Sequence, residues 1–265
     1  MDNFDQSSLI DLLLSVKNDA IKYVPNPGNA GDSLIAYSTF QLFRRLDLNV
    51  SIYHSETSFM ENDVVVYGGG GNLVPEYQDL EKFLAINQHV RKLIVLPHTV
   101  RGHQKLISSL SSNVFICARE KVTYEYLAAN SRFPENHCMA HDMAFMISGL
   151  DKVDVTPKFG ALNAYRIDVE KTNIQLPESN IDISLALATS HCTLLPKEIL
   201  QATRKMIYVI AHSSSVLTNR IHVAILSSLL NKETKLYPNS YFKNKAIYDF
   251  SMKGRFPLTS FVEGL

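Results

Sequence analysis

Residues 63–72 read DVVVYGGGGN, and the reading of this stretch decides the fold. Val64, Val65, Val66 and Tyr67 are apolar at every position rather than at alternate ones. A strand of that kind is buried on both faces, as in the centre of a parallel sheet covered by helices. Four glycines then end it, and Asn72 follows. Glycine loses more conformational freedom on folding than any other residue, so a run of four needs a reason. Two reasons are available. One is a tight turn that lets helix and sheet pack closely. The other is a loop whose main-chain N–H groups turn inward as an anion nest. The run fits neither the dinucleotide pattern G-x-G-x-x-G in context nor a P-loop, which needs Lys followed by Ser or Thr.

Working outward, the same alternation continues. Upstream, apolar residues at helical spacing from Leu9 to Ala20 precede the short strand IKYVPN. NPGNAGD is a turn-rich loop, and SLIAYSTFQLFRRL is a helix for which Asp32 or Ser33 can serve as N-cap. NVSIYHS is a further strand. Downstream, EYQDLEKFLAIN, QKLISSLSS and KVTYEYLAAN read as helices. Between them KLIVLPH, ending in a loop, and NVFICARE read as strands. Strands alternating with helices predict a parallel sheet covered on both sides, accounting for residues 1–150. DKVDVTPK, at 151–158, mixes charge with proline and has no apolar period, so the linker is placed there. Beyond it come the strand GALNAYRID and the helix LLPKEILQATRKMIYVIA, whose final IYVIA also reads as a strand. The strand SSVLTN, the helix RIHVAILSSLL, the strand TKLYPNS and the closing helix YFKNKAIYDFSM complete the chain. The expected architecture is α/β, two Rossmann-like domains over 1–150 and 151–265 facing a cleft. In such sheets ligands sit at the carboxyl ends of the strands.

The totals narrow the function. Lys plus Arg and Asp plus Glu number 26 each among 265 residues, so no global field recruits nucleic acid or an anionic membrane. Three scattered cysteines without Cys-x-x-Cys suggest neither a disulfide framework nor a zinc knuckle. The N-terminus is acidic and broken by charges, unlike a secretory signal, and no segment reaches the roughly 20 apolar residues that span a bilayer. A cytoplasmic, soluble protein is expected.

Polar groups gather where the strands end: Asn29, Gly31 and Asp32; Gly68 to Asn72; Pro97, His98 and Thr99; Arg119 and Glu120; Arg220 and His222. Arginine presents a permanently charged fork that suits carboxylate or phosphate. Each residue taken alone has a plainer reading, the arginines as structural ion pairs and the histidines as hydrogen-bonded packing groups. His137 and His141 are four apart beside Asp142, but Met, Ala and Phe dominate the stretch and no third ligand is evident, so no metal is expected. There is no G-x-S-x-G nucleophile elbow.

The blocks GNAGD (28–32), GGGGN (68–72), LPHT (96–99), ARE (118–120), YRIDVE (165–170), LTNRIH (217–222) and PNSYFKNKAIYD (238–249) occur in that order. Together they resemble the polysaccharide pyruvyl transferase family over about residues 20–250. The resemblance implies a GT-B-like architecture and phosphoenolpyruvate as donor, with no further cofactor. It also implies a sugar acceptor, open to a lipid-linked oligosaccharide with peripheral membrane contact, and a cyclic pyruvate ketal as product in exopolysaccharide or cell-surface glycan biosynthesis. Carried over by motif, Arg119, Arg220 and His222 are donor-binding and catalytic positions, joined by His98, where members of the family vary. Arg166, Asn239, Ser240, Tyr241 and Lys243 match substrate-binding blocks. Gly69, Gly70, Gly71 and Asn72, with Asn29 and Asp32, line the cleft wall. Two departures stand out. The family's Asp-Arg-Leu-His is Asn219-Arg220-Ile221-His222 here, and Phe242 occupies a position often held by glycine, which bears on the acceptor pocket. Two other readings share this architecture: a glycosyltransferase using a nucleotide-sugar, and a non-catalytic glycan-binding member. The presence of Arg119, Arg220 and His222 argues against the second.

Overall fold

The computed structural model describes residues 5–189 and 195–263. Cys192, Leu194, the first residue of the expected LLPKEILQATRKMIYVIA helix, and the first four residues lie outside them. The chain divides into two compact units. The first runs to Pro27 and resumes over Thr39–Met143; the second takes Gly28–Ser38 and resumes from Ala144. Both are α/β with parallel sheets, consistent with a Rossmann-like fold.

In the first unit the strands are β1 (Ile21–Val24), β2 (Val50–Ile52), β3 (Val64–Tyr67), β4 (Gly70–Leu73), β5 (Lys92–Val100), β6 (Val114–Ala118) and β7 (His137–Met139). They form one sheet in the order β2-β1-β3-β5-β6-β7, with β4 paired to β5 off that path, and every pairing is parallel. The apolar run at 64–67 is indeed a central strand, buried at all four positions. Val65 and Tyr67 face Leu80, Phe83 and Leu84 of the helix Asp79–Asn87 in the main hydrophobic cluster. Each such side chain, once buried, contributes about 1.5–3 kcal/mol.

Two expectations around this strand are corrected. The glycine run is not all loop, because Gly70 and Gly71 open β4. His98 and Thr99 are not in a loop after β5, because β5 continues to Val100. Both differences have one cause. The nine-residue β5 outlasts β3, and its free C-terminal half pairs with the chain returning after the glycines, Gly70 opposite His98 and Leu73 opposite Val100. Its register with β6 shifts between Val95 and His98. Pro97 sits in that interval, where the absence of its N–H breaks no regular ladder. The glycines serve this change of partner. The Gly68 N–H continues the ladder to the Val24 carbonyl, and a Cβ there would lie 2.4 Å from the Asn26 backbone nitrogen. Gly70 has φ +149°, a conformation other residues avoid.

The second unit contains β8 (Leu162–Ala164), β9 (Ser215–Thr218), β10 (Glu233–Leu236) and β11 (Thr259–Phe261), parallel in the order β11-β10-β9-β8. β11 was not expected from the sequence. IYVIA is helical, as the end of a helix over Pro196–Ala211. The apolar helix Ile221–Leu229 follows β9 directly and is buried along nearly its whole length. The closing helix begins at Lys243 and widens into a π-helical turn over Tyr248–Met252. A sixteen-residue helix, Ala30–Arg45, starts in the segment that belongs to this unit. Its cap is Asn29, not the expected Asp32 or Ser33. The Gly31 N–H donates to Asn29 Oδ1 at 2.9 Å, and the Asn29 N–H donates to Asp32 Oδ2 at 2.9 Å. The two side chains thus satisfy two of the helix's orphan donors reciprocally, as in a capping box. No helix among the described residues is long and apolar enough to cross a membrane.

Candidate active site

The polar blocks sort into one cluster in each unit. In the second unit the cluster is built around carboxylates. β8 runs into Arg166, whose backbone N–H donates to Asn219 Oδ1 at 2.7 Å. Its guanidinium meets Asp168 through Nε at 2.8 Å and Glu170 through an Nη at 2.8 Å. Arg220 ends the turn after β9 and precedes the Ile221–Leu229 helix. Its Nε donates to Asp182 Oδ1 at 2.9 Å, a second nitrogen reaches the other oxygen of Asp182, and the third lies 2.8 Å from Asp168 Oδ2. Glu170 accepts from Asn239 Nδ2 at 3.0 Å and from the Lys243 ammonium. Asn244, buried behind them, donates to the carbonyls of Asn219 and Tyr237. Arg166 and Arg220 therefore share Asp168, while Arg166, Asn239 and Lys243 share Glu170.

This network is close to electroneutral. Arg166, Arg220 and Lys243 stand against Asp168, Glu170 and Asp182, all in direct ion pairs. Burial alone would raise the Glu170 carboxyl, but the charges of Lys243 and Arg166 and their hydrogen bonds outweigh it and bring it down to about 2. For Asp168 burial is likewise the largest effect, overcome by the Arg166 hydrogen bonds and the charges of Arg166 and Arg220, again to about 2. The anchored guanidiniums are held in fixed orientations, which is what preorganised electrostatic stabilisation requires.

His222 lies in the first turn of the helix that Arg220 precedes. Its ring rests on the capping segment: a Cβ at Gly31 would lie 2.5 Å from His222 Nδ1. Asn29 and Asp32, expected on a substrate-binding wall, spend their side chains on the cap that shapes this contact. Ser240 is exposed and its N–H donates to the Glu170 carbonyl at 3.2 Å. Lys243 Nζ lies 5.2 Å from the centre of the Tyr241 ring, and Phe242 packs edge-on against that ring.

In the first unit the cluster follows from the partner change on β5. The Asn72 N–H donates to His98 Nε2 at 3.1 Å, and the same nitrogen lies 2.9 Å from Asn72 Oδ1. One neutral tautomer of His98 accepts from the backbone and the other donates to the side-chain oxygen. Asn72 Nδ2 donates to the Tyr67 hydroxyl at 3.2 Å, anchoring the pair to β3. The Arg119 N–H donates to the His98 carbonyl, its Nε to Thr99 Oγ1 at 2.8 Å, and an Nη to Asp142 at 2.7 Å. Arg119 is only 1% exposed, so its guanidinium is committed to a buried pair. Removing one partner of such a pair typically costs about 3–5 kcal/mol. Gly69 links β3 to β4, whose first residues are Gly70 and Gly71. Glu120 caps the helix Lys121–Asn130, accepting from the Thr123 N–H at 2.8 Å, and burial raises its carboxyl.

His137 lies on β7, and Asp142 is the partner of Arg119. Among the described residues no group of three His, Cys, Asp or Glu is arranged to hold a metal ion. The sequence reading missed Asp168, Glu170, Asp182 and Asn219 as organising groups. For Asp168 and Glu170 a signal existed: they alternate with Arg166 in RIDVE. Asp182 carried none.

Three comparisons with known proteins bear on these clusters. A family model described as polysaccharide pyruvyl transferase matches residues 29–240. A relative named as a pyruvyl transferase, EpsO of Bacillus subtilis (strain 168), is 26% identical, with 94% of this chain and 89% of EpsO aligned. A crystal structure of the uncharacterised protein KP1_0663 from Klebsiella pneumoniae subsp. pneumoniae NTUH-K2044 is similar with a TM-score of 0.86 and 33% identity, covering 100% of each chain.

Proposed function

The chain belongs to the polysaccharide pyruvyl transferase family, and from that premise we propose that it moves the pyruvate unit of phosphoenolpyruvate onto two hydroxyls of one sugar, forming a cyclic ketal in polysaccharide biosynthesis. The likeness to EpsO supports the transferase activity. The GT-B-like architecture expected from the resemblance is part of this reading. The observation that carries it is the placement of Arg220. Two carboxylates hold its guanidinium at the start of the Ile221–Leu229 helix, with the His222 imidazole two residues on. An anchored guanidinium at a helix N-terminus suits a phosphate or carboxylate.

In this reading Arg220 grips the donor's anionic groups, while Arg119, committed to its buried pair with Asp142, holds its own cluster in place. His222 delivers a proton to the methylene carbon, which leaves oxocarbenium character at the adjacent carbon. A sugar hydroxyl attacks that carbon, and its proton returns to the His222 imidazole. The carbon–oxygen bond to phosphate breaks, the Arg220 guanidinium stabilises the departing charge, and a second hydroxyl closes the ring. The last hydroxyl proton leaves with phosphate, so no redox partner and no covalent enzyme intermediate is needed. Lys243 and Tyr241 belong to the acceptor side.

The test is to incubate the protein with phosphoenolpyruvate and a panel of aryl glycosides, and to look by mass spectrometry for the ketal adduct with matching phosphate release. Phosphoenolpyruvate should also raise the melting temperature. Absence of adduct and of stabilisation, with release of nucleoside diphosphate from a sugar nucleotide, would overturn the reading.

A further inference from the structure

Cys117 and Cys138 have no role in the chemistry above. They are register partners on the adjacent parallel strands β6 and β7, so their side chains leave the sheet on the same face. The other face of these strands carries Ile116, Ala118 and Met139, which pack into the main hydrophobic cluster. Parallel neighbours lie about 4.8 Å apart, within the roughly 4.4–6.8 Å between Cα atoms that a disulfide spans. Both are free thiols, and their sulfurs approach to 3.0 Å.

The two are not equivalent. Cys117 is wholly buried, whereas Cys138 is partly accessible and sits on β7, the edge strand of the sheet. A reagent in solution therefore meets Cys138 first. The hydrogen bond between the sulfurs lowers the Cys138 thiol; the same bond, with burial, raises Cys117 well above the ordinary thiol range. The accessible cysteine is thus the better nucleophile and the buried one is the resolving group.

We propose that Cys117 and Cys138 form a dithiol redox site that takes a low-molecular-weight disulfide as oxidant and closes to an intramolecular disulfide. The Cys138 thiolate attacks one reagent sulfur, breaks the reagent's S–S bond and releases one thiol, leaving a mixed disulfide. Cys117 then loses its proton and attacks the Cys138 sulfur, and the second reagent thiol departs with that proton. Two electrons and two protons pass from the cysteines to the reagent, which leaves as two thiols. The bridge ties together the strands whose continuations carry Arg119 and Asp142.

The experiment uses the folded full-length protein and oxidised glutathione, followed by acid quench, unfolding, alkylation and mass spectrometry. Alkylatable cysteines should fall from three to one, with a peptide linking Cys117 to Cys138, and dithiothreitol should restore all three. Cys117→Ser should retain glutathione on Cys138, because nothing resolves the mixed disulfide. Cys192→Ser should still lose two thiols. The proposal is overturned if wild-type protein keeps three alkylatable cysteines, or if the bridge that forms includes Cys192. This readout needs no catalytic turnover, so it stands or falls separately from the transferase reading.

Discussion

Replacing Gly31 by alanine tests whether His222 must occupy its observed place. The new Cβ would lie 2.5 Å from His222 Nδ1 and 3.1 Å from His222 Cβ, whereas ordinary contacts begin near 3.4 Å, so the ring must retreat by about 0.9 Å. A swivel of the ring relieves only the first clash; the contact with His222 Cβ requires the start of the Ile221–Leu229 helix to move as well. A misplacement of about 1 Å at a reacting group costs on the order of 10² in rate. Stability should change less. Alanine gains up to about 1 kcal/mol over glycine in a helix, against about 1–3 kcal/mol for overpacking. We expect kcat for acceptor-dependent phosphate release to fall about 100-fold while the melting transition shifts by only a few degrees. Gly160→Ala is the control, since a Cβ there meets nothing within 4 Å. The imidazole ¹H–¹⁵N resonances of His222 give a readout that does not depend on the assay. The reasoning is refuted if Gly31→Ala keeps near wild-type kcat, or if its His222 resonances do not move.

Other predictions follow from the same contacts. His222→Ala and Arg220→Ala should each lower turnover by about 10² or more with the fold retained, checked by kinetics beside circular dichroism. Glu170→Gln removes the shared anion of Arg166 and Lys243 and should destabilise the protein by about 3–5 kcal/mol in urea titrations. The Glu170 carboxyl titrates at about 2 in the folded protein, below its unfolded value. Its contribution, about 3 kcal/mol, is therefore complete above roughly pH 4.5 and is lost as the pH falls toward 2. Glu170→Gln should flatten that part of the stability–pH curve. Asp142→Ala should cost about 3–5 kcal/mol by stranding the Arg119 charge, and Arg119→Met combined with Asp142→Leu should cost less than either single change. Equal or greater loss in the double variant would show that the pair is not what the guanidinium depends on.

The contrast between what could be read in advance and what could not has a physical basis. An unbroken apolar run such as Val64–Tyr67 announces a central strand, because only a doubly covered strand tolerates it. Arg220 and His222 were legible as the turn between a strand and an apolar helix. The fate of Pro97–Thr99 was not. Whether a strand stops or finds a second partner depends on the relative lengths of β3 and β5, which is a property of the assembled sheet. Asn29, Asp32 and Ser33 are all competent caps within five residues, and only the geometry chooses Asn29. Asp182 resembles any solvated aspartate in sequence. Its bond to Arg220 spans 38 positions, and no local pattern encodes a contact of that range.

The capping segment has a consequence for how the molecule can be divided. Residues 28–38 belong with the second unit, although more than a hundred residues of the first separate them from its remainder. A contiguous fragment beginning at Ala144 would carry Arg220 and His222 but lack Gly31, the surface on which that imidazole rests. The second unit therefore cannot be exchanged between relatives as one cassette. Recombination at a single breakpoint would leave its histidine unseated, and any successful swap must transplant the short N-terminal piece as well.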